Sequence, residues 1–210
     1  RRQVENAEAR AALDHFAERL RAPLAPPELP LHPARPARWT VDGAWRTRRM
    51  DARLGASLAE LAHAHGATPF QLFLAAFHAL LYRLARQHDL VVGIPIGLRE
   101  QPELERLPGF LVNTLALRTT FDGSGSFVEL LGKVRETALE AYAHQEVPFE
   151  RVVEEIRPER DTSRNPIFQA LFPLHNVPFG RLALPGLAIR SFEVEPATAQ
   201  FDLEMSLFQI

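Results

Sequence analysis

The sequence predicts an α/β fold, a mixed sheet with helices packed on it in the manner of an α+β sandwich. Two observations carry this. Residues 90–96 and 110–117 are near-continuous apolar runs of strand length, the pattern of strands buried on both faces. Helix starts with matching chemistry lie around them. Ser57-Leu58-Ala59-Glu60, Thr68-Pro69-Phe70-Gln71 and Ser126-Phe127-Val128-Glu129 each have the form of a capping box, the second with proline at the first helical position.

In chain order, residues 7–20 read as an amphipathic helix with Leu13, Phe16, Ala17 and Leu20 on one face. Pro23, Pro26, Pro27, Pro30, Pro33 and Pro36 then deny residues 23–36 both helix and sheet hydrogen bonds, which makes this stretch an extended connector. Residues 44–50 can form a strand. The helix opened by Ser57 ends at Gly66, and that opened by Ser126 lines up Phe127, Leu130, Leu131, Val134, Ala138 and Ala141. Further strands are expected over 168–172 and 187–194. Residues 201–207 alternate apolar and polar, so one face of that strand is expected to be wet.

With 210 residues, 46% of them apolar, the chain can bury a sizeable core. A net charge of −2 gives no general attraction to nucleic acid or to an anionic membrane. There is no cysteine, which removes disulfides, thiolate nucleophiles and thiolate metal sites together and fits a reducing cytoplasm, the expected location. The apolar stretch 70–85 is interrupted by Gln71, His78 and Arg83 and is too short to span a bilayer. The first residues, Arg1-Arg2-Gln3-Val4-Glu5-Asn6, carry no apolar signal core.

No metal or nucleophile motif stands out. His63 and His65, two apart near a helix end, point to different sides and cannot chelate together. His78, inside an apolar helix, reads as a satisfied core or boundary histidine. No His-Glu-x-x-His, Gly-x-Ser-x-Gly or glycine-rich phosphate loop occurs. Three stretches have an unusual texture. In Gly109-Phe110-Leu111-Val112-Asn113-Thr114-Leu115-Ala116-Leu117-Arg118 an amide and a hydroxyl interrupt a buried strand, at a cost unless partnered. Two readings of that pair stand open, the lining of a polar channel and an internal hydrogen bond. In His144-Gln145-Glu146-Val147-Pro148-Phe149-Glu150, Pro148 opens a short helix that Phe149 and Glu150 pin. In Arg160-Asp161-Thr162-Ser163-Arg164-Asn165-Pro166, Asp, Ser and Asn can satisfy local backbone groups of a loop.

These three stretches, in this order, resemble the last three signature motifs of the condensation domains of nonribosomal peptide synthetases: Gly-Phe-Phe-Val-Asn-Thr, His-Gln-Asp-x-Pro-Phe-Glu and Arg-Asp-x-Ser-Arg-Asn-Pro. Residues 66–77 and 89–99 look like the same family. The resemblance implies a chloramphenicol acetyltransferase-like fold of two lobes facing across a tunnel, of which residues 1–210 are the C-terminal lobe, truncated at both ends. It implies peptide-bond formation between aminoacyl or peptidyl thioesters on donor and acceptor carrier proteins. It further implies an N-terminal lobe and an adenylation domain as partners. Phosphopantetheine arms of the carriers enter the tunnel, and no cofactor or metal is bound directly. The family's catalytic His-His-x-x-x-Asp-Gly has no counterpart here, since no two histidines are adjacent. The fragment alone is therefore expected to be inactive, with no catalytic residue of its own. Gly97, Leu98, Asn113 and Thr114 are the expected tunnel residues. Arg99, Gly109, Arg118, His144, Gln145, Pro148, Phe149, Glu150, Arg160, Asp161, Ser163, Arg164, Asn165 and Pro166 are the expected motif scaffold. Leu98 replaces a small residue before Arg99, Pro108 an Ile, Leu111 a Phe and Glu146 an Asp; of these, Leu98 is placed to reshape the tunnel. The alternatives are a non-catalytic docking lobe and a related epimerization or heterocyclization domain. A free-standing acyltransferase would make the three motifs coincidental.

Overall fold

The computed structural model describes residues 7–21, 23–30, 35–99, 102–105, 107–175, 187 and 196–208. Helix α1 (Ala7–Arg19) turns Ala12, Leu13 and Phe16 inward, with Leu20 buried just beyond its end. The described part of the connector, 23–30 and 35–36, carries neither helix nor strand. Gln87 clamps it, donating to the Pro26 carbonyl at 3.1 Å and accepting from the Glu28 amide at 3.1 Å.

Helix α2 (Ala52–Ala64) starts earlier than the Ser57 box predicts. Asp51 takes the N-cap, its Oδ1 accepting from the amides of Arg53 and Leu54 at 2.9 and 3.4 Å, and Ser57 lies inside the helix. The predicted stop holds: Gly66 sits at φ +61°, and the amides of Gly66 and Ala67 satisfy the carbonyls of His63 and Ala62. Helix α3 (Pro69–Ala85) has the predicted reciprocal cap between Thr68 and Gln71.

Strand β1 (Asp89–Gly97) buries five successive residues, Leu90 to Ile94. After the short α4 (Pro102–Glu105), β2 (Val112–Thr120) pairs with β1 antiparallel, Ile94 opposite Leu115 and Gly97 opposite Val112. The predicted second strand thus begins two residues late, and Phe110 is 89% exposed rather than buried. Helix α5 (Phe127–Tyr142), capped by Ser126 and Glu129, buries Leu130, Leu131, Val134, Ala138 and Ala141 but leaves Phe127 37% exposed. Helix α6 (Phe149–Ile156) follows Pro148.

Beyond α6 the described residues form only short strands: β3 (Ala170–Leu171), β4 (Leu174–His175), β5 (Leu203–Glu204) and β6 (Leu207–Phe208). The main sheet runs β2-β1-β3-β5, with β3 parallel to both neighbours, and β4 and β6 make a separate parallel pair. The alternating strand expected over 201–207 is therefore split between two sheets, with no continuous wet face. Residues 44–50 form no ladder; one bridge, Asp42 to Thr198, stands beside them. Of the strand expected over 187–194, only Leu187 is among the described residues. Helices α3 and α5 pack on each other and on the sheet, which makes the predicted mixed α/β arrangement. Among the described residues no helix is long and apolar enough to cross a membrane.

Close approach decides one position. A Cβ on Gly93 would overlap the Phe168 ring, which is held between Phe149 and Phe201 at 5.4 and 5.5 Å and cannot swing aside. Phe172 packs likewise on Phe70 and Phe77, each at 5.6 Å.

His78 on α3 is buried, with Nδ1 2.9 Å from the Leu74 carbonyl and Nε2 without a partner. The core histidine expected from the sequence is thus only half satisfied. Burial outweighs the Leu74 bond and lowers its pKa from 6.5 to about 4. The unfolded chain therefore takes up this proton at higher pH than the folded one. Stability is complete above pH 6.5 and declines as pH falls to 4, by about 3 kcal/mol at about 1.4 kcal/mol per unit. Urea denaturation at pH 7 and pH 5 should show this decline in the native sequence and a shallower one in His78→Gln; equal slopes would contradict it.

Candidate functional site

Asn113 is 7% exposed, and its carboxamide is fully used. Nδ2 donates to the carbonyls of Gln145 and Val147 at 2.8 and 2.7 Å. Oδ1 accepts from the amides of Thr114 and Phe149 at 2.8 and 3.1 Å. Of the two readings left open by the sequence, the internal hydrogen bond is the one formed. Both Nδ2 hydrogens of Asn113 are engaged in that bond. The second motif is thereby fastened to the first: the turn 143–148 lies over the end of β2, and the Phe149 amide, an orphan at a helix start, finds its acceptor.

Several other motif residues act in the same way. Arg99 donates to the carbonyls of Leu104 and Leu107, both at 2.7 Å, and of Gly109 at 3.2 Å, which fixes the loop joining β1 to β2. Arg118 grips the Asp89 carboxylate through Nε and Nη2 and reaches the carbonyls of Arg19 and Arg21, tying α1 to the sheet. Asp89 makes this guanidinium hold its proton more tightly than usual. In the third motif, Asp161 Oδ1 accepts from the hydroxyl and amide of Ser163 at 2.6 and 2.7 Å, which holds the carboxyl below its ordinary range. Asn165 donates to the Gln200 carbonyl at 2.7 Å, and Arg164 lies 3.4 Å from both Glu28 and Asp161. Arg160, Glu150 and Pro166 are exposed. Ile167 then turns through φ +68°, a conformation costing about 1–2 kcal/mol for such a residue, and delivers Phe168 onto Gly93.

Gly97 and Leu98 lie at the loop end of the β1–β2 hairpin, with Thr114, opposite Pro95, two residues further in. Gly97 is exposed, with nothing within 4 Å of where a Cβ would stand, and Leu98 donates its amide to the Leu111 carbonyl at 2.9 Å. By strand alternation Thr114 points away from the Asn113 side.

A groove of about 1640 Å³ opens elsewhere, between residues 35–50, the α2 and α3 helices and residues 196–208. Of the site residues named from the sequence, only Ser163 lines it; Gly97, Leu98, Asn113 and Thr114 do not. Trp39, Trp45, Arg48, Arg49, Phe70 and Phe73 do, and sequence reasoning passed over them. The available signal was both tryptophans of the chain falling among the arginines of residues 38–53. Arg35 was also missed; it bonds the Ser163 carbonyl and pairs with Asp202, drawing the connector, the third motif and the C-terminal strands together. Among the described residues no group of three or more His, Cys, Asp or Glu could hold a metal ion.

Removing the Asn113 carboxamide takes away the donor to two carbonyls and the acceptor of two amides, at a cost of about 2–3 kcal/mol. Asn113→Ala should therefore unfold at markedly lower denaturant than the native sequence. An unchanged midpoint would show that the clasp contributes little.

Comparison with known proteins gives the same picture. The family model described as the condensation domain matches residues 1–209. A linear gramicidin synthase protein of Brevibacillus parabrevis is 44% identical over 184 residues, 87% of this chain and 2% of that protein. Phosphinothricin tripeptide synthetase PhsC of Streptomyces viridochromogenes is 40% identical over 215 residues, 99% of this chain and 19% of that protein. The X-domain from teicoplanin biosynthesis superimposes with a TM-score of 0.85 at 27% identity, covering all of this chain and 47% of that one, and with 0.82 in its complex with OxyB, where 45% of that chain is covered. The chain thus spans a small part of the curated synthetases and about half of the solved X-domain. By the family match across its length and by the three interlocked motifs, this chain belongs to the condensation-domain family.

Proposed function

We propose that this chain is the C-terminal lobe of a domain that forms peptide bonds between aminoacyl or peptidyl thioesters carried on two carrier proteins during nonribosomal peptide biosynthesis. The observation that carries the reading is the Asn113 clasp, which turns two family motifs into one rigid piece of wall beside Gly97, Leu98 and Thr114. In the reaction the acceptor amine attacks the donor thioester carbonyl. A C–N bond forms, the C–S bond breaks, and the amine proton ends on the thiol of the donor arm. No residue of this chain is assigned to that proton; a His-His-x-x-x-Asp-Gly segment outside it would assist the amine. What this lobe contributes is alignment, and holding two tethered reactants in line is worth several kcal/mol of barrier. The phosphopantetheine arms arrive as part of the substrates, and an N-terminal lobe and an adenylation domain complete the setting. Leu98, at the strand end, is the residue placed to set which substrates fit.

A second reading, a docking lobe without chemistry, draws on the likeness to the X-domain, which has been solved in complex with OxyB. One experiment separates the two. Donor- and acceptor-loaded carrier proteins are mixed with the complete domain, with its Leu98→Gly form and with residues 1–210 alone, and dipeptidyl product is followed by mass spectrometry. The complete domain should give product, Leu98→Gly an altered substrate range, and the lone lobe none. Product from the lobe alone would overturn the assignment of the chemistry to another segment. Carrier or partner binding without product from the complete domain would favour docking.

A further inference from the structure

Two histidine rings meet where α1 lies against the turn that follows α5. His15 and His144 face each other with centroids 4.3 Å apart and planes at 38°. Phe16 stands edge-on to both, at 5.6 and 6.5 Å. Both histidines are partly buried. We propose that this pair is a pH-sensitive clasp, which holds α1 on the lobe while His15 is neutral and loosens it when His15 is charged against the facing ring.

The surroundings resist a charge on His15. On α1 itself stand Arg10, Asp14, Glu18 and Arg19. Arg10 is paired with Asp14 at 2.8 Å and with Glu155 of α6 at 3.0 Å, and Arg19 is paired with Glu140 of α5. Arg118 of β2 directs its donors to Asp89 and to backbone carbonyls, and Glu146 follows on the turn. Burial, then the His144 and Arg19 charges, lower the pKa of His15, while Glu140 and Glu18 act against them. A second proton on the facing ring meets like charge at stacking distance.

The clasp reaches the motifs. His144 immediately precedes Gln145, whose carbonyl Asn113 holds, so movement of α1 loads the turn that Asn113 anchors. It also uncovers Leu13 and Phe16. Because folding disfavours the charged His15, its contribution is present above pH 6.5 and is lost as pH falls below that value. His78 has the same sign but lies in the core of α3 and weakens the whole fold, whereas this pair weakens α1 alone.

Hydrogen exchange of the complete protein at pH 7.5 and 5.5, expressed as protection factors, tests this. Relative to β1, protection across residues 13–20 should fall at the lower pH. His15→Phe keeps a stacked ring that cannot charge, and it should retain protection at pH 5.5. His15→Gln should be less protected at both values, without a further fall. An equal fall in His15→Phe and the native sequence, or α1 and β1 losing protection together, would overturn the proposal.

Discussion

A carboxamide buried in an apolar strand brings two donors and an acceptor that water can no longer satisfy, and the chain has to answer them or lose the strand. Asn113 is answered by the turn 143–148 and the first amide of α6. That one requirement sets where α5 ends, where α6 begins and how the second motif lies against the sheet. It also accounts for a polar residue at a position where a hydrophobic one would pack more cheaply: a valine there would leave the carbonyls of Gln145 and Val147 facing an apolar surface. The polarity serves specificity of arrangement, since only this register of β2 brings the four groups together.

The third motif is joined to the same frame by shape. Phe149 follows the Asn113-anchored turn, packs on Phe168, and Phe168 packs on Phe201. The row fits because Gly93 leaves the ring room on β1, and because Ile167 accepts a left-handed backbone to aim it. Arg35 and Asp202 close the row from the connector side, both largely buried. Residues far apart in sequence thus make a single continuous support behind the β1–β2 hairpin.

What could be read from the sequence is what short-range chemistry decides. The caps at Thr68 and Ser126, the stop at Gly66, the Asp161–Ser163 loop and the two buried strands all depend on neighbours a few residues away. The misreadings share the opposite property. Asp51 and Ser57 are both competent caps, and only the packing of α2 selects the first. Phe110 is apolar yet outside the sheet because Arg99 fixes the preceding loop. Residues 201–207 alternate as a strand should, but β3 and β4 each recruit only two residues of the following run. The partner of Asn113 lies 32 residues away and that of Arg35 lies 167 away, separations at which no periodicity carries information.

For the proposed function, this means that the motifs hold a shape on which chemistry supplied from elsewhere would act. The most direct measurement is the exchange rate of the Phe149 amide. As the first residue of α6 it has no partner within its own helix, so without the Asn113 carboxamide it would exchange as an exposed helix start does. Exchange should be slow in the native sequence, comparable to β2, and fast in Asn113→Val, with the amides of α3 unchanged. Fast exchange of Phe149 in the native sequence would contradict it.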